Sequence, residues 1–243
     1  MAGDQFGNQA GGGIEPYSPF VEQRQREQAS GGRPLSLRAY SLTLTGLVLA
    51  GFLVMGFCAS LFGNVGFLMN VVYNYMLYTI VSFVASIAGI VMMGRALKSK
   101  SVALSLAGYA LFVASFGFTA SLALLGYDMQ TISTAFLATA GIVVVFACLG
   151  VAFPAVFQRA VGVLSVALLA LILVQVVMLF MGVDQTWVDF AVIVVFCGFI
   201  GYDFHQAMYM EPTLVNAVFA ASNLFLDIIN VFLRVLAIFG RRD

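Results

Sequence analysis

The stretch TLVNAVFAASNLFLDIINVFL, residues 213–233, is long enough to cross a bilayer as a helix and holds one charged residue, Asp227, near its centre. Pro212, directly before it, suits the start of a helix. Such a helix cannot avoid placing Asp227 at membrane depth. A carboxylate there costs about 3 kcal/mol or more, so it is retained for a job or a partner. Within and just beyond the stretch, Asn216, Asn223, Asp227, Asn230 and Arg234 follow at intervals of seven, four, three and four. Those intervals put all five on one helical face, surrounded by Val, Phe, Leu, Ile and Ala. A polar seam in an apolar helix belongs in the middle of a bundle, away from lipid. The Asn residues can act there as hydrogen-bonding glue between helices. Asp227 is a costly glue and reads as functional.

The segment upstream carries a second acid, Asp203, in the run Gly201-Tyr202-Asp203-Phe204-His205-Gln206. Too few residues separate Asp189 from Asp203 for a full crossing. This segment is either a partial span or runs on past Asp203 towards Met210, with the carboxylate below the membrane surface. His205 is expected to cap the end of this helix or to face water. If the last two segments are adjacent and antiparallel, joined around Glu211-Pro212, both carboxylates lie in the same half of the bundle. Two carboxylates in a low-dielectric site cannot both ionise cheaply, so they share a proton. That makes a pH-sensitive element without histidine. Arg95 is a candidate counter-charge; its bland alternative is an anchor that snorkels to the surface.

The remainder is consistent with a membrane bundle. The chain of 243 residues is 62% hydrophobic and 9% charged, with mean hydropathy +1.02; soluble domains carry roughly 25% charged residues. No charged residue occurs between Arg38 and Arg95, room for two spans with a turn region at Gly63-Asn64 and Asn70 to Asn74. Residues 101–127, 129–158 and 160–183 give three more, for seven hydrophobic segments in all. All are expected to be helices, because in lipid only helices and closed barrels satisfy their own backbone, and these runs lack the alternation of barrel strands. Residues 1–38 are rich in Gly, Gln, Ser and charge and are expected to form a disordered cytoplasmic tail, with 39–243 as one transmembrane domain. The tail lacks the pattern of a cleaved signal peptide.

Arg24, Arg26, Arg33, Arg38, Arg95, Lys98, Lys100 and Arg159 fall on one side of the membrane. The loops of the other side hold only Asp128, Asp184 and Asp189 before the C-terminus. By the positive-inside rule the N-terminus is cytoplasmic. Seven full crossings then put Arg241 and Arg242 outside, so either the early loops dominate or the last segment stops short. Zero formal net charge and no basic patch exclude a nucleic-acid partner. Cys58, Cys148 and Cys197 read as buried small apolar residues, and a single His205 gives no zinc site.

Three runs near the C-terminus resemble the closing signature of the Bax-inhibitor family, the transmembrane Bax-inhibitor-motif proteins. They are Phe199-Ile200-Gly201-Tyr202-Asp203, Leu226-Asp227-Ile228-Ile229-Asn230-Val231-Phe232, and Leu236 to Gly240. The 24-residue separation of the two aspartates is also similar to that of bacterial members. The resemblance implies seven helices, arranged as two three-helix layers around a central C-terminal helix. It implies calcium permeability gated by pH, with a di-aspartyl pair near the cytoplasmic side that shares a proton and binds an arginine in one state. Asp203 and Asp227 match that pair residue for residue, and Arg95 matches the arginine by position.

The functional expectation is therefore a passive, pH-sensitive calcium leak in which Asp203 and Asp227 are sensor, ion path and weak calcium ligands. Arg95 is the latch, and Asn216, Asn223, Asn230 and Arg234 form the supporting seam. Calcium takes six to eight oxygen ligands, so two carboxylates with amides and water make a site weak enough for an ion to leave. The rival class is a non-transporting regulator that binds a membrane protease or stress and cell-death components. Proton-coupled exchange is a third idea. An intramembrane aspartyl protease needs Gly-x-Gly-Asp on its later helix, and Leu226-Asp227 lacks those glycines. No enzyme activity and no cofactor are expected. The partners are the lipid bilayer, calcium, protons and a further membrane protein. Short loops and the lack of an organelle signal favour a bacterial plasma membrane.

Overall fold

The computed structural model describes residues 34–183 and 186–241. Most of the tail, and Asp184, lie outside the described residues. Eight helices follow one another: α1 Leu37–Leu61, α2 Val65–Tyr73, α3 Tyr75–Ser99, α4 Val102–Leu124, α5 Met129–Ala152, α6 Pro154–Met181, α7 Thr186–Tyr209 and α8 Leu214–Gly240. Seven are long and apolar enough to cross a membrane; the nine-residue α2 is the exception. This is an all-α integral membrane protein.

Local chemistry sets the boundaries. Helices begin where a side chain can accept a hydrogen bond from an otherwise unpaired N–H of the first turn. Ser36, Asn64, Ser101, Asp128 and Thr213 each do so. Pro154 opens α6, where its missing N–H is harmless. The turn region expected between the first two spans instead holds α2, which Asn64 caps.

The helices form two layers. α1 and α3 pack on α4, α5 and α6 pack on α7, and α8 runs between the layers against α1, α4, α5 and α7. The outer faces are covered with large apolar side chains such as Leu53, Leu137 and Val163, each more than 70% exposed, as lipid contact requires. α6 has no buried residue along its spanning window, whereas half of that in α8 is buried. The polar seam therefore foretold the central helix.

Phe225 anchors α8 to the first layer. Its ring lies over Gly51 and meets Phe52, Phe112 and Phe116 edge-on at centroid distances of 5.3, 6.1 and 6.5 Å. Phe232 meets Phe136 of α5 in the same way. At the end of the bundle where α1 begins, called here the near end, Leu35 N–H donates to the Pro212 carbonyl and Tyr40 hydroxyl to that of Ala207. α1 is thus tied to the turn between α7 and α8.

Two sequence expectations are corrected. α7 is a span of 24 residues that runs on past Asp203 to Tyr209, the second of the two alternatives, and it contains Asp189, which is therefore not a loop charge. Cys58 and Cys197 are buried, but Cys148 is exposed on the outer face of α5. α8, with 27 residues, is long enough to cross completely.

Candidate functional site

Asp227 lies near the middle of α8 and is 5% exposed; Asp203 lies in the last two turns of α7 and is half-buried. Their carboxyl groups face one another at hydrogen-bonding range. Among the described residues no basic side chain forms an ion pair with either, and Oδ2 of Asp227 receives no N–H or hydroxyl donor.

The surroundings force this approach. α5 passes so close to α7 that a Cβ on Gly150 would collide with the Gly201 backbone, and one on Gly201 with the Phe157 ring. Gly201 is two residues from Asp203, so this close helix contact lies beside the acid pair. An open cavity of about 260 Å³ flanks α7 at the near end, lined by Gln158, Tyr202, His205, Gln206, Tyr209 and Met210.

His205 neither caps α7 nor faces water. It is 9% exposed, meets the Tyr209 ring at a tilt with centroids 4.5 Å apart, and pairs its Nε2 with Gln158 Nε2 of α6 at 3.1 Å. α6 offers an amide N–H donor there, and the sequence had no means of placing Gln158 opposite.

The seam residues divide. Asn216 donates to the Glu211 carbonyl and Asn230 to the Leu226 carbonyl, so both bond their own neighbourhood rather than glue helices together. Asn223 and Asn230 are half-buried. Arg234 alone bridges elements: it donates to Gln175 of α6 at 2.9 Å and to Asp189 of α7 at 2.8 Å. Arg95 is exposed at the end of α3 and has no hydrogen bond or ion pair among the described residues. The latch with the aspartate pair is absent from this conformation.

Sequence reasoning missed Asp189. It sits in the first turn of α7, is 1% exposed, and is paired with Arg234 and, at 2.9 Å, with Arg241. The available signal was register. Fourteen residues separate Asp189 from Asp203, and fourteen separate Asp227 from Arg241. In antiparallel helices the first coincidence implies the second. Among the described residues no three His, Cys, Asp or Glu side chains converge as a metal site.

These features define a class: a seven-span helical membrane protein whose last helix is central and carries one half of a buried acid pair. Within that class the chain belongs to the Bax inhibitor family. The family model described as inhibitor of apoptosis-promoting Bax1 matches residues 34–243. The chain is similar to the inner membrane protein YbhL of Escherichia coli K12, 24% identical over 217 residues, covering 85% of this chain and 93% of that one. It is also similar to Bax inhibitor 1 of Schizosaccharomyces pombe, 27% identical over 193 residues, or 76% and 71% of the two chains. An uncharacterized membrane protein of Streptococcus pyogenes serotype M3 is 28% identical over 176 residues, 69% and 76% of the chains.

Proposed function

We propose that this protein is a pH-sensitive calcium leak of a bacterial plasma membrane, with the N-terminus in the cytoplasm. The observation that carries the reading is the meeting of Asp203 and Asp227 inside the bundle, with no basic side chain among the described residues paired to either. In the closed state the two carboxyls hold one proton. Loss of that proton leaves two charges facing each other in a site of low dielectric, which a cation or Arg95 must then neutralise. Calcium, as the transported substrate, would meet the carboxyls with Asn223 and Asn230 about one turn to either side along the half-buried seam. Four such groups and water make a weak oxygen site from which an ion can depart. The near end carries Arg38, Arg95, Lys98, Lys100 and Arg159, which supports a cytoplasmic N-terminus. The E. coli relative, an inner membrane protein, supports the location.

Purified protein in calcium-free liposomes tests the reading. Calcium entry should depend on external pH, and Asp203→Asn and Asp227→Asn should each abolish that dependence. Entry that is identical in wild type and both variants at every pH would reject it. The rival regulator reading draws on the fission-yeast relative's name, Bax inhibitor 1. It predicts no calcium entry by purified protein and co-purification with a membrane partner.

A further inference from the structure

The far end of the bundle holds a second polar level that the leak reading leaves unused. Four side-chain oxygens converge there from two helices: Oε1 of Gln175 on α6, and Oγ1 of Thr186 with both carboxylate oxygens of Asp189 on α7. Two guanidinium groups of α8 fill the space among them. Arg234 spans Gln175 and Asp189; Arg241 spans Thr186 and Asp189. A carboxylate, an amide and a hydroxyl are oxygen donors of the kind a hard cation uses as it sheds water. Here tethered cations occupy them.

Arg234 belongs to the same face of α8 as Asp227, seven residues further on, or roughly 10 Å along the helix. An ion moving along the seam from the acid pair towards the far end passes Asn230 and then meets Arg234. With both guanidiniums in place that ion faces two positive charges paired with Asp189. We propose that Asp189, Gln175 and Thr186 form a second gate at the far end of the path, held shut by Arg234 and Arg241. The proposal rests on the leak reading. It makes Asp189 a positioning residue for the two guanidiniums when shut and a stepping point for the cation when they withdraw. α6 is the element best suited to yield, since it has no buried residue in its spanning window and grips the far end through Gln175.

The test uses the full chain in liposomes loaded with a calcium dye, with retained carboxyfluorescein as the check on vesicle integrity. Arg234→Gln removes a tethered cation and should raise the initial calcium rate about tenfold, the factor represented by one charge-assisted hydrogen bond. Gln175→Leu alters no charge, and its fold is not at risk from an unpaired acid; it should raise the rate about threefold by loosening Arg234. Unchanged rates in both variants beside a conducting wild type overturn the gate and leave the leak reading standing. If Arg234→Gln does not fold, Gln175→Leu decides alone. A silent wild type with a conducting Arg234→Gln supports the gate. Silence in every protein overturns the leak reading and the gate together.

Discussion

The α7–α8 interface carries acids at two levels with opposite solutions. At the near-end level Asp203 meets Asp227, an acid against an acid with no basic side chain among the described residues paired to either. At the far end Asp189, buried more deeply than Asp227, meets Arg234 and Arg241. The residue type and helix pair are the same. What differs is the partner, and the partner decides the role. A buried charge surrounded by counter-charges is a fastener, because removing one member strands the rest. Two acids facing each other have no fixed charge state. Their arrangement changes with whatever proton or cation is supplied.

Four experiments bear on this contrast. The largest effect is expected at the far end. Arg234→Met leaves Asp189 buried with one partner fewer and should cost about 3 kcal/mol of stability. Asp189→Asn should cost less, about 2 kcal/mol, because the Arg234 and Arg241 side chains are 28% and 40% exposed and water can take up their charge. Thermal melts in detergent compare them, and melting temperatures equal to wild type for both would mean that the far-end level fastens nothing.

Next comes Gly150→Val, which forces α5 away from Gly201 beside the acid pair. Overpacking there should cost about 2 kcal/mol and disturb the near-end level alone. Loss of stability with unchanged pH dependence of calcium entry would show that the glycine contact does not set the position of Asp203.

Asp227→Asn is third. It removes a buried acid with no counter-charge, so stability should change by less than about 1 kcal/mol or rise slightly. A fall as large as that of Arg234→Met would erase the distinction between the two levels.

The smallest effect is expected at Asp128, an exposed reference acid outside the spans. Its carboxyl is held below the ordinary 3.8 by the backbone N–H of Thr131, then by the Thr131 hydroxyl and the Gln130 N–H. The folded value lies below the unfolded one. Its contribution is therefore present above the unfolded value and fades as pH falls through the folded value. Asp128→Ala should melt slightly below wild type at neutral pH, and the gap should close under acid conditions. A gap that persists unchanged at the lowest pH would show that the capping carboxylate's charge is irrelevant.

Much of this was readable from single residues. Asp227 could be placed at depth because the surrounding run is too long and too apolar to put it elsewhere. The seam from Asn216 to Arg234 marked α8 as interior because only a central helix can hide a polar face and apolar ones at once. Asp189 could not be read in the same way. It stands three residues beyond a helix start, where surface acids are common, and its burial depends on Arg234 and Arg241, more than forty residues away. His205 was misread for the same reason: nothing in its neighbourhood announces Gln158. Arg95 was placed at a helix end by sequence, and the fold leaves it exposed there.

Hydropathy, span length and helical period therefore determined the membrane class, the number of crossings and which helix is central. These follow from the cost of burying backbone and charge in lipid, which each segment faces alone. The tertiary structure decided which carboxylate met which partner. That depends on the register of antiparallel helices and on close approaches such as Gly150 to Gly201, where distances of a few ångströms separate a fastened acid from one free to respond.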